Sequence, residues 1–247
     1  MRTKKNNVII IDKRYVVKQD SLERLKAEKV FIEENKKIKV ERIIYSNINK
    51  KYNVYEYIDG HTINCLGDVD NCLVEINNII DLYSKTQIDG YGDIFDLKSS
   101  WTDFLREDIL KQSKYMECGP SKLLDKVMSE ISILDKYPIN KKIIHGDLGC
   151  FNIICKKKKI VGIIDPRTII GDPLYDFIYF LFSNYNIAKD IDIYEILNIL
   201  NESKEKIFAM FYIMLYDRLA REHKNNTPYK NDFFTIWNKI KKIEENY

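Results

Sequence analysis

Short apolar runs rich in β-branched residues open the chain at 8–11 and 15–18, and the polar Asp12-Lys13-Arg14 between them predicts a hairpin. Asp20 stands three residues before Glu23, an acidic variant of a capping box, and opens a helix carrying Leu22, Leu25, Phe31 and Ile32. Runs at 42–46 and 52–58, joined by the polar stretch 47–51, predict a second hairpin. The order is strand, strand, helix, strand, strand. After Asp59-Gly60 the spacing becomes helical: Val69, Cys72, Leu73, Ile76, Ile80 and Tyr83 fall on one face. Further helices are predicted near 100–112, 120–136, 173–183, 191–200, 203–224 and 232–245, interrupted once by strand-like sequence at 143–165. A small mixed lobe, residues 1–59, thus precedes a larger helical lobe, residues 60–247.

Composition narrows the chemistry. The chain has 247 residues but only 9 glycines, the first of them Gly60, so neither a Rossmann turn nor a Walker loop fits into 1–59. A net charge of +3 is no nucleic-acid-binding excess. Its distribution is uneven, with 15 basic and 9 acidic side chains in 1–59 against 25 and 28 in 60–247. The cysteines (Cys65, Cys72, Cys118, Cys150 and Cys155) are odd in number and scattered, without the paired spacing of structural zinc, and imply a reduced, cytoplasmic chain. The basic start, 1–7, is followed by four apolar residues, too few for a signal-peptide core, and the ten-residue apolar run 207–216 suits a buried helix rather than a membrane span.

The most informative stretch is 143–165, IIHGDLGCFNIICKKKKIVGIID. Apolar runs at 153–155 and 160–164 flank four lysines and predict a hairpin. In an antiparallel pair the residue entering one strand lies beside the residue leaving the other, which brings Asn152 to Asp165, with Asp147 on a glycine-flanked loop upstream. Hard oxygen donors of this kind suit Mg²⁺, completed by water and substrate phosphates. Asp147 is the candidate to accept a proton from an incoming hydroxyl. The plainer alternative is a polar turn whose Asp and Asn make only local hydrogen bonds.

The spacing of His145-x-Asp147-Leu148-x-x-x-Asn152 matches the protein-kinase catalytic loop. With Ile164-Asp165 and Gly171-Asp172-Pro173-x-x-Asp176, the stretch resembles the aminoglycoside phosphotransferase and choline kinase type of small-molecule kinase. That resemblance implies an α+β, two-lobed protein-kinase-like fold: a small antiparallel-sheet N-lobe with one helix and a short or missing first strand, then a mostly helical C-lobe. It implies Asp147 as catalytic base, Asn152 and Asp165 as Mg²⁺ ligands, and ATP or GTP as phosphoryl donor. Asp176 would tie its helix to the catalytic loop, and Asp172 would cap that helix.

A lysine for the nucleotide phosphates and a glutamate to hold it are then expected in the front lobe. Glu28 falls beside Leu25 and Ile32 on the apolar helix stripe, where a carboxylate needs a partner, and Lys18 is the proposed one; Glu23 and Glu33 compete for the role. Glu56, Tyr57 and Ile58 resemble the interlobe hinge, whose backbone would bind a purine edge. The turn at 12–14 is the candidate phosphate cover. The expected partners are a nucleoside triphosphate and a small hydroxyl-bearing substrate, with no nucleic acid and no membrane. The acceptor expected first is an aminoglycoside-type antibiotic or related amino-sugar. Choline, homoserine or another metabolite, and a catalytically silent nucleotide-binding module, are the alternatives. Asp89, Asp93, Asp96, Asp103, Glu107 and Asp108, or Asp190, Asp192 and Glu195, would suit a polycation, although solvated helix faces explain them as well.

Overall fold

The computed structural model describes residues 7–116 and 121–247, so the basic start, Cys118 and Pro120 lie outside the described residues. The chain begins with β1 (Asn7–Ile11), β2 (Tyr15–Gln19), α1 (Leu22–Glu34), β3 (Ile43–Asn47) and β4 (Tyr52–Glu56). These strands form one antiparallel sheet in the order β1-β2-β4-β3, with Lys18 opposite Val8 on one side and Asn53 on the other. Among the described residues β1 is the sheet edge, and Ile9, Ile10 and Ile11 stay 49%, 45% and 43% exposed where a further strand would cover them. The helix is capped by Ser21, whose hydroxyl accepts the Arg24 N–H at 3.2 Å, rather than by the acidic box expected from Asp20 and Glu23.

The larger part comprises β5 (His61–Thr62), α2 (Cys72–Asp81), β6 (Gly92–Asp93), α3 (Trp101–Ser113), α4 (Ser121–Leu134), β7 (Lys142–Ile144), β8 (Ile153–Lys156), β9 (Lys159–Ile163), β10 (Ile169–Gly171), α5 (Leu174–Phe182), α6 (Tyr185–Ala188), α7 (Ile193–Ile199), α8 (Lys204–Asn225) and α9 (Lys230–Glu244). The run of apolar residues in the middle of α8 is buried on every side because α3, α4, α5 and α9 all pack against it. The predicted α2 face is buried as a set, from Val69 to Tyr83. No helix among the described residues is long and apolar enough to cross a membrane. Cys65, Cys72, Cys150 and Cys155 are free thiols.

Helix α1 joins the two parts. Asn35 donates to Ile143 O at 3.2 Å and accepts the Ser84 N–H at 2.8 Å, while Ser84 donates to Glu34 O at 2.6 Å. Thr168, held at φ +65° and fully buried, donates to Ala27 O at 2.7 Å. Phe31, fully buried, sets its ring edge-on to Tyr83 and His145. The segment after α1 runs beside β9, with Glu41 N–H donating to Ile163 O and Ile163 N–H to Lys39 O.

Candidate active site

The β8–β9 hairpin places Ile153 opposite Ile163, and Ile164 N–H donates to Asn152 O at 2.9 Å. Its turn needs the left-handed backbone of Lys157 and Lys158. The tip lysines pair with acids of this part of the chain, Lys156 with Asp59 and Lys158 with Asp70 at 3.5 Å.

Asp147 is held from two sides. Tyr179 donates its hydroxyl to Oδ1 at 2.6 Å, and Asn152 donates its amide to Oδ2 at 3.2 Å and to the Asp147 carbonyl at 2.8 Å. With its N–H groups so used, the Asn152 amide leaves its oxygen as the remaining donor atom. The loop is braced beneath: Asp176 accepts the N–H groups of His145 and Gly146 at 2.7 and 2.8 Å. Burial pushes the Asp176 carboxyl up to about 7 against the pull of these bonds. Gly146 is required at φ +76°, where a Cβ would stand 2.6 Å from the Ile169 side chain. Asp172 caps α5 through the Leu174 N–H at 3.0 Å and pairs with buried Lys206 at 2.8 Å.

His145 is fully buried, donates from Nε2 to Ile164 O at 2.9 Å and accepts the Asp147 N–H on Nδ1 at 3.2 Å. These two bonds require the neutral ring, and burial lowers its pKa to about 4. The folded value lies below the unfolded 6.5, so the unfolded chain binds the extra proton first. The resulting stability is fully present above pH 6.5 and is lost as the pH falls through about 4, by roughly 3 kcal/mol. Urea unfolding at pH 7 and pH 4.5 should show that loss, and His145→Gln should flatten the slope. An identical slope in the variant would refute the assignment.

Lys18, 5% exposed, donates to Glu28 at 2.6 Å and also to Asp165. Glu28 is fully buried and accepts from Tyr55 as well, whereas Glu23 and Glu33 are exposed. Burial alone would raise the Asp165 carboxyl, but Lys18 and Arg24 outweigh it and hold the group below its ordinary value. Asp165 adopts φ +63°, a conformation rare for a non-glycine residue. Its N–H donates to Glu41 at 2.9 Å. Burial pushes Glu41 up to about 7, with Lys18 opposing.

The structure thus gathers Lys18, Glu28, Asp147, Asn152 and Asp165 at one polar site. It corrects three expectations around it. The N–H groups of Glu56 and Tyr57 are already donated, to Arg42 O and Arg14 O, both at 2.9 Å, so of the hinge triad only the Ile58 N–H has no such backbone acceptor. Ile58 lies on Gly162, where a Cβ would come within 2.4 Å of its Cδ1. The turn at 12–14 is at the hinge end of β2, the end away from Lys18, and is no cover for phosphates there. The acidic stretch of α3 and the loop before it is mostly compensated: Arg167 takes Asp93 at 2.6 Å and Asp108 at 3.2 Å, and Lys98 takes Asp96 at 2.8 Å and Glu107 at 2.9 Å. Asp103 meets Arg106 at 3.5 Å. In the second cluster Asp192 caps α7.

Sequence reasoning missed Arg24, Glu41, Tyr55 and Tyr179. Arg24 is four residues before Glu28 and Tyr179 three after Asp176, so helical spacing held both signals. Glu41 reaches the site only through the pairing of the segment after α1 with β9, and Tyr55 only through the return of β4, neither of which a local pattern reports.

This is the architecture of the protein-kinase-like fold, with the loop of Asp147 and Asn152 and the aspartate Asp165 near a strand lysine, Lys18, and a helix glutamate, Glu28. The model of the phosphotransferase enzyme family matches residues 96–204, the stretch that contains the HGDLGCFN motif. A thermostable mutant of aminoglycoside phosphotransferase APH(4)-Ia, solved as a ternary complex with AMP-PNP and hygromycin B, is similar at TM-score 0.71 and 15% identity, over 97% of this chain and 91% of that one. Choline kinase LicA from Streptococcus pneumoniae is similar at TM-score 0.62 and 15% identity, over 100% and 92% of the two chains. The GDP complex of aminoglycoside 2'-phosphotransferase-IIIa is similar at TM-score 0.55 and 14% identity, over 100% and 92%. No curated protein matches the sequence directly. The resemblance to aminoglycoside phosphotransferases and choline kinases stands, in the matched stretch and in the fold.

Proposed function

We propose that the chain is a small-molecule kinase transferring the γ-phosphoryl group of ATP or GTP to a hydroxyl of its acceptor. The observation that supports it best is the joined pair Asp147–Asn152 at the mouth of the hairpin that ends on Asp165, with Lys18 and Glu28 closing the other side. Asp147 is the base: Tyr179 and Asn152 orient its carboxylate toward the incoming hydroxyl and leave lone pairs to take the proton. Asn152 Oδ1 and Asp165 are the Mg²⁺ ligands. Their oxygen chemistry fits that ion, which takes few protein ligands and completes its shell from phosphate and water. Among the described residues no three His, Cys, Asp or Glu side chains cluster to hold a metal without such help. The ion, when bound, neutralises charge on the phosphates. Lys18 holds the donor phosphates and Glu28 aims Lys18, while the hinge, chiefly the Ile58 N–H, meets the base. The lobes divide near residue 60.

An aminoglycoside or related amino-sugar is the first acceptor to test, because solved neighbours bind hygromycin B and kanamycin; a choline- or homoserine-like alcohol is the second. Turnover of an aminoglycoside would make the protein a cytoplasmic resistance enzyme. A coupled nucleotide-consumption assay over both classes, beside thermal shift with Mg-ATP and Mg-GTP, tests the proposal. Acceptor-dependent consumption is expected. A nucleotide-induced rise in Tm without turnover of any acceptor would favour a silent binding module, and no rise at all would remove the nucleotide from the account.

A further inference from the structure

The N–H, the carbonyl and one carboxylate oxygen of Asp165 are all held by side chains from residues 18–41. Glu41 accepts its N–H at 2.9 Å, Arg24 Nη2 donates to its carbonyl at 3.1 Å and to Oδ1 at 3.0 Å, and Lys18 donates to the same Oδ1. Two cations therefore converge on Oδ1 of the carboxylate that the proposed metal would also need.

They are not equally fixed. The Lys18 side chain is 7% exposed and has its own short, buried partner in Glu28. Arg24 is 25% exposed, and its other contact is a longer one, from Nε to Glu28 at 3.2 Å. It lines an open cleft of about 440 Å³ together with Ser21, Phe95 and Arg167. Asp147 is also close enough to stabilise the Arg24 charge. A divalent ion cannot share the Asp165 carboxylate with both cations, even through Oδ2, without strong like-charge repulsion. The more exposed and less tightly bound Arg24 is the one that can leave. Pivoting about its Nε contact keeps the guanidinium beside the site, where its planar N–H fork suits a phosphate.

We propose that Arg24 is a counter-ion gate: it occupies Asp165 while the site holds no nucleotide, and yields that carboxylate by moving onto the terminal phosphate of an arriving donor. The metal then enters with the nucleotide rather than ahead of it, and a triphosphate is preferred over a diphosphate. This rests on the reading of Asp165 as a metal ligand. Arg24 is a donor-specificity residue in this scheme, additional to Lys18.

The test uses the full chain and two binding measurements. Mn²⁺ alone is titrated by electron paramagnetic resonance, and a non-hydrolysable ATP analogue and ADP, each with Mg²⁺, by calorimetry. In Arg24→Gln, Mn²⁺ should bind about tenfold more tightly without nucleotide, while the preference for triphosphate over diphosphate falls about tenfold. Adding Asp165→Asn to that variant should abolish the gain in Mn²⁺ binding. A purely structural arginine would move neither quantity in these directions, and unchanged Mn²⁺ affinity with an unchanged nucleotide ratio overturns the gate. Should Arg24→Gln fail to fold, Arg24→Lys keeps the charge but loses the double contact to the Asp165 carbonyl and carboxylate; it should show the same two shifts, smaller, and wild-type values for both would overturn the proposal. If the wild-type chain binds neither nucleotide, the kinase reading fails with it; if it binds both and only the Arg24 variants are silent, the gate alone fails.

Discussion

Asp147→Asn is expected to lower acceptor-dependent turnover by roughly 10²–10⁴-fold while the nucleotide-induced rise in Tm persists. The amide is nearly isosteric and can still accept the Tyr179 hydroxyl, which sits at 2.6 Å; it gives up the 3.2 Å bond from Asn152, but that amide keeps its 2.8 Å bond to the residue 147 carbonyl, so the loop should keep its shape. What is lost is the basic lone pair proposed to take the proton of the acceptor. The residues proposed to meet the nucleotide, Lys18, Asp165 and Ile58, are not changed. The separation of the two readouts is the informative part: a variant that loses nucleotide binding in parallel would make Asp147 a structural residue, and one that retains full turnover would place the base elsewhere. Steady-state assays and thermal shift on the same preparation give both.

Glu28→Ala should be the most damaging substitution for stability, by about 3–5 kcal/mol, because it removes one partner of a buried ion pair and leaves the rest behind. Glu28 is fully buried and accepts from Lys18 at 2.6 Å, from Arg24 at 3.2 Å and from Tyr55. Without it, the Tyr55 hydroxyl faces the core with a donor unspent and Lys18 keeps Asp165 as its remaining anion. For a chain of this size the loss corresponds to a fall in Tm on the order of 10 °C. Glu33→Ala, on the same helix but exposed and 3.6 Å from Lys29, should change stability by no more than about 0.5 kcal/mol. Equal melting shifts for the two variants would mean that Glu28 is not a buried anchor.

Glu28 also shows how far the sequence can be read. Its place on an apolar stripe marked it, because a carboxylate in that position must be paired, and the structure supplies Lys18. The β8–β9 hairpin was legible for a similar local reason: two apolar runs around four lysines predict it, although the one-residue register shift between Ile154 and Cys155 on the way to Asn152 and Asp165 was not visible. The long helices were legible from their apolar spacing. Strands β5, β6 and β10 were not, since two or three residues give no periodicity and they exist only through long-range pairing, β5 with β8 and β10 with both β6 and β7. The compensation of Asp93 and Asp108 by Arg167 was equally hidden, because the partners are 74 and 59 residues apart in the chain. A linear count of acids overstates a negative surface whenever a distant loop returns a cation to it.

The stitching of α1 bears on what kind of machine this is. Its main-chain groups at Ala27 and Glu34, and the side chains of Asn35 and Phe31, are fastened to the helical part of the molecule, whereas its hydrogen bonds to the sheet run through the Glu28 carboxylate and the Leu25 carbonyl, which accepts from the Asn53 amide. By mechanical attachment the helix belongs with the large lobe although by chain order it belongs with the small one. The part free to shift is then a four-stranded leaf carrying Lys18, and Glu28 is the fixed post against which that leaf is latched. Any shift of that leaf would be read at the contacts of Lys18 with Glu28 and Asp165 and of Tyr55 with Glu28, rather than across the broad face between two lobes.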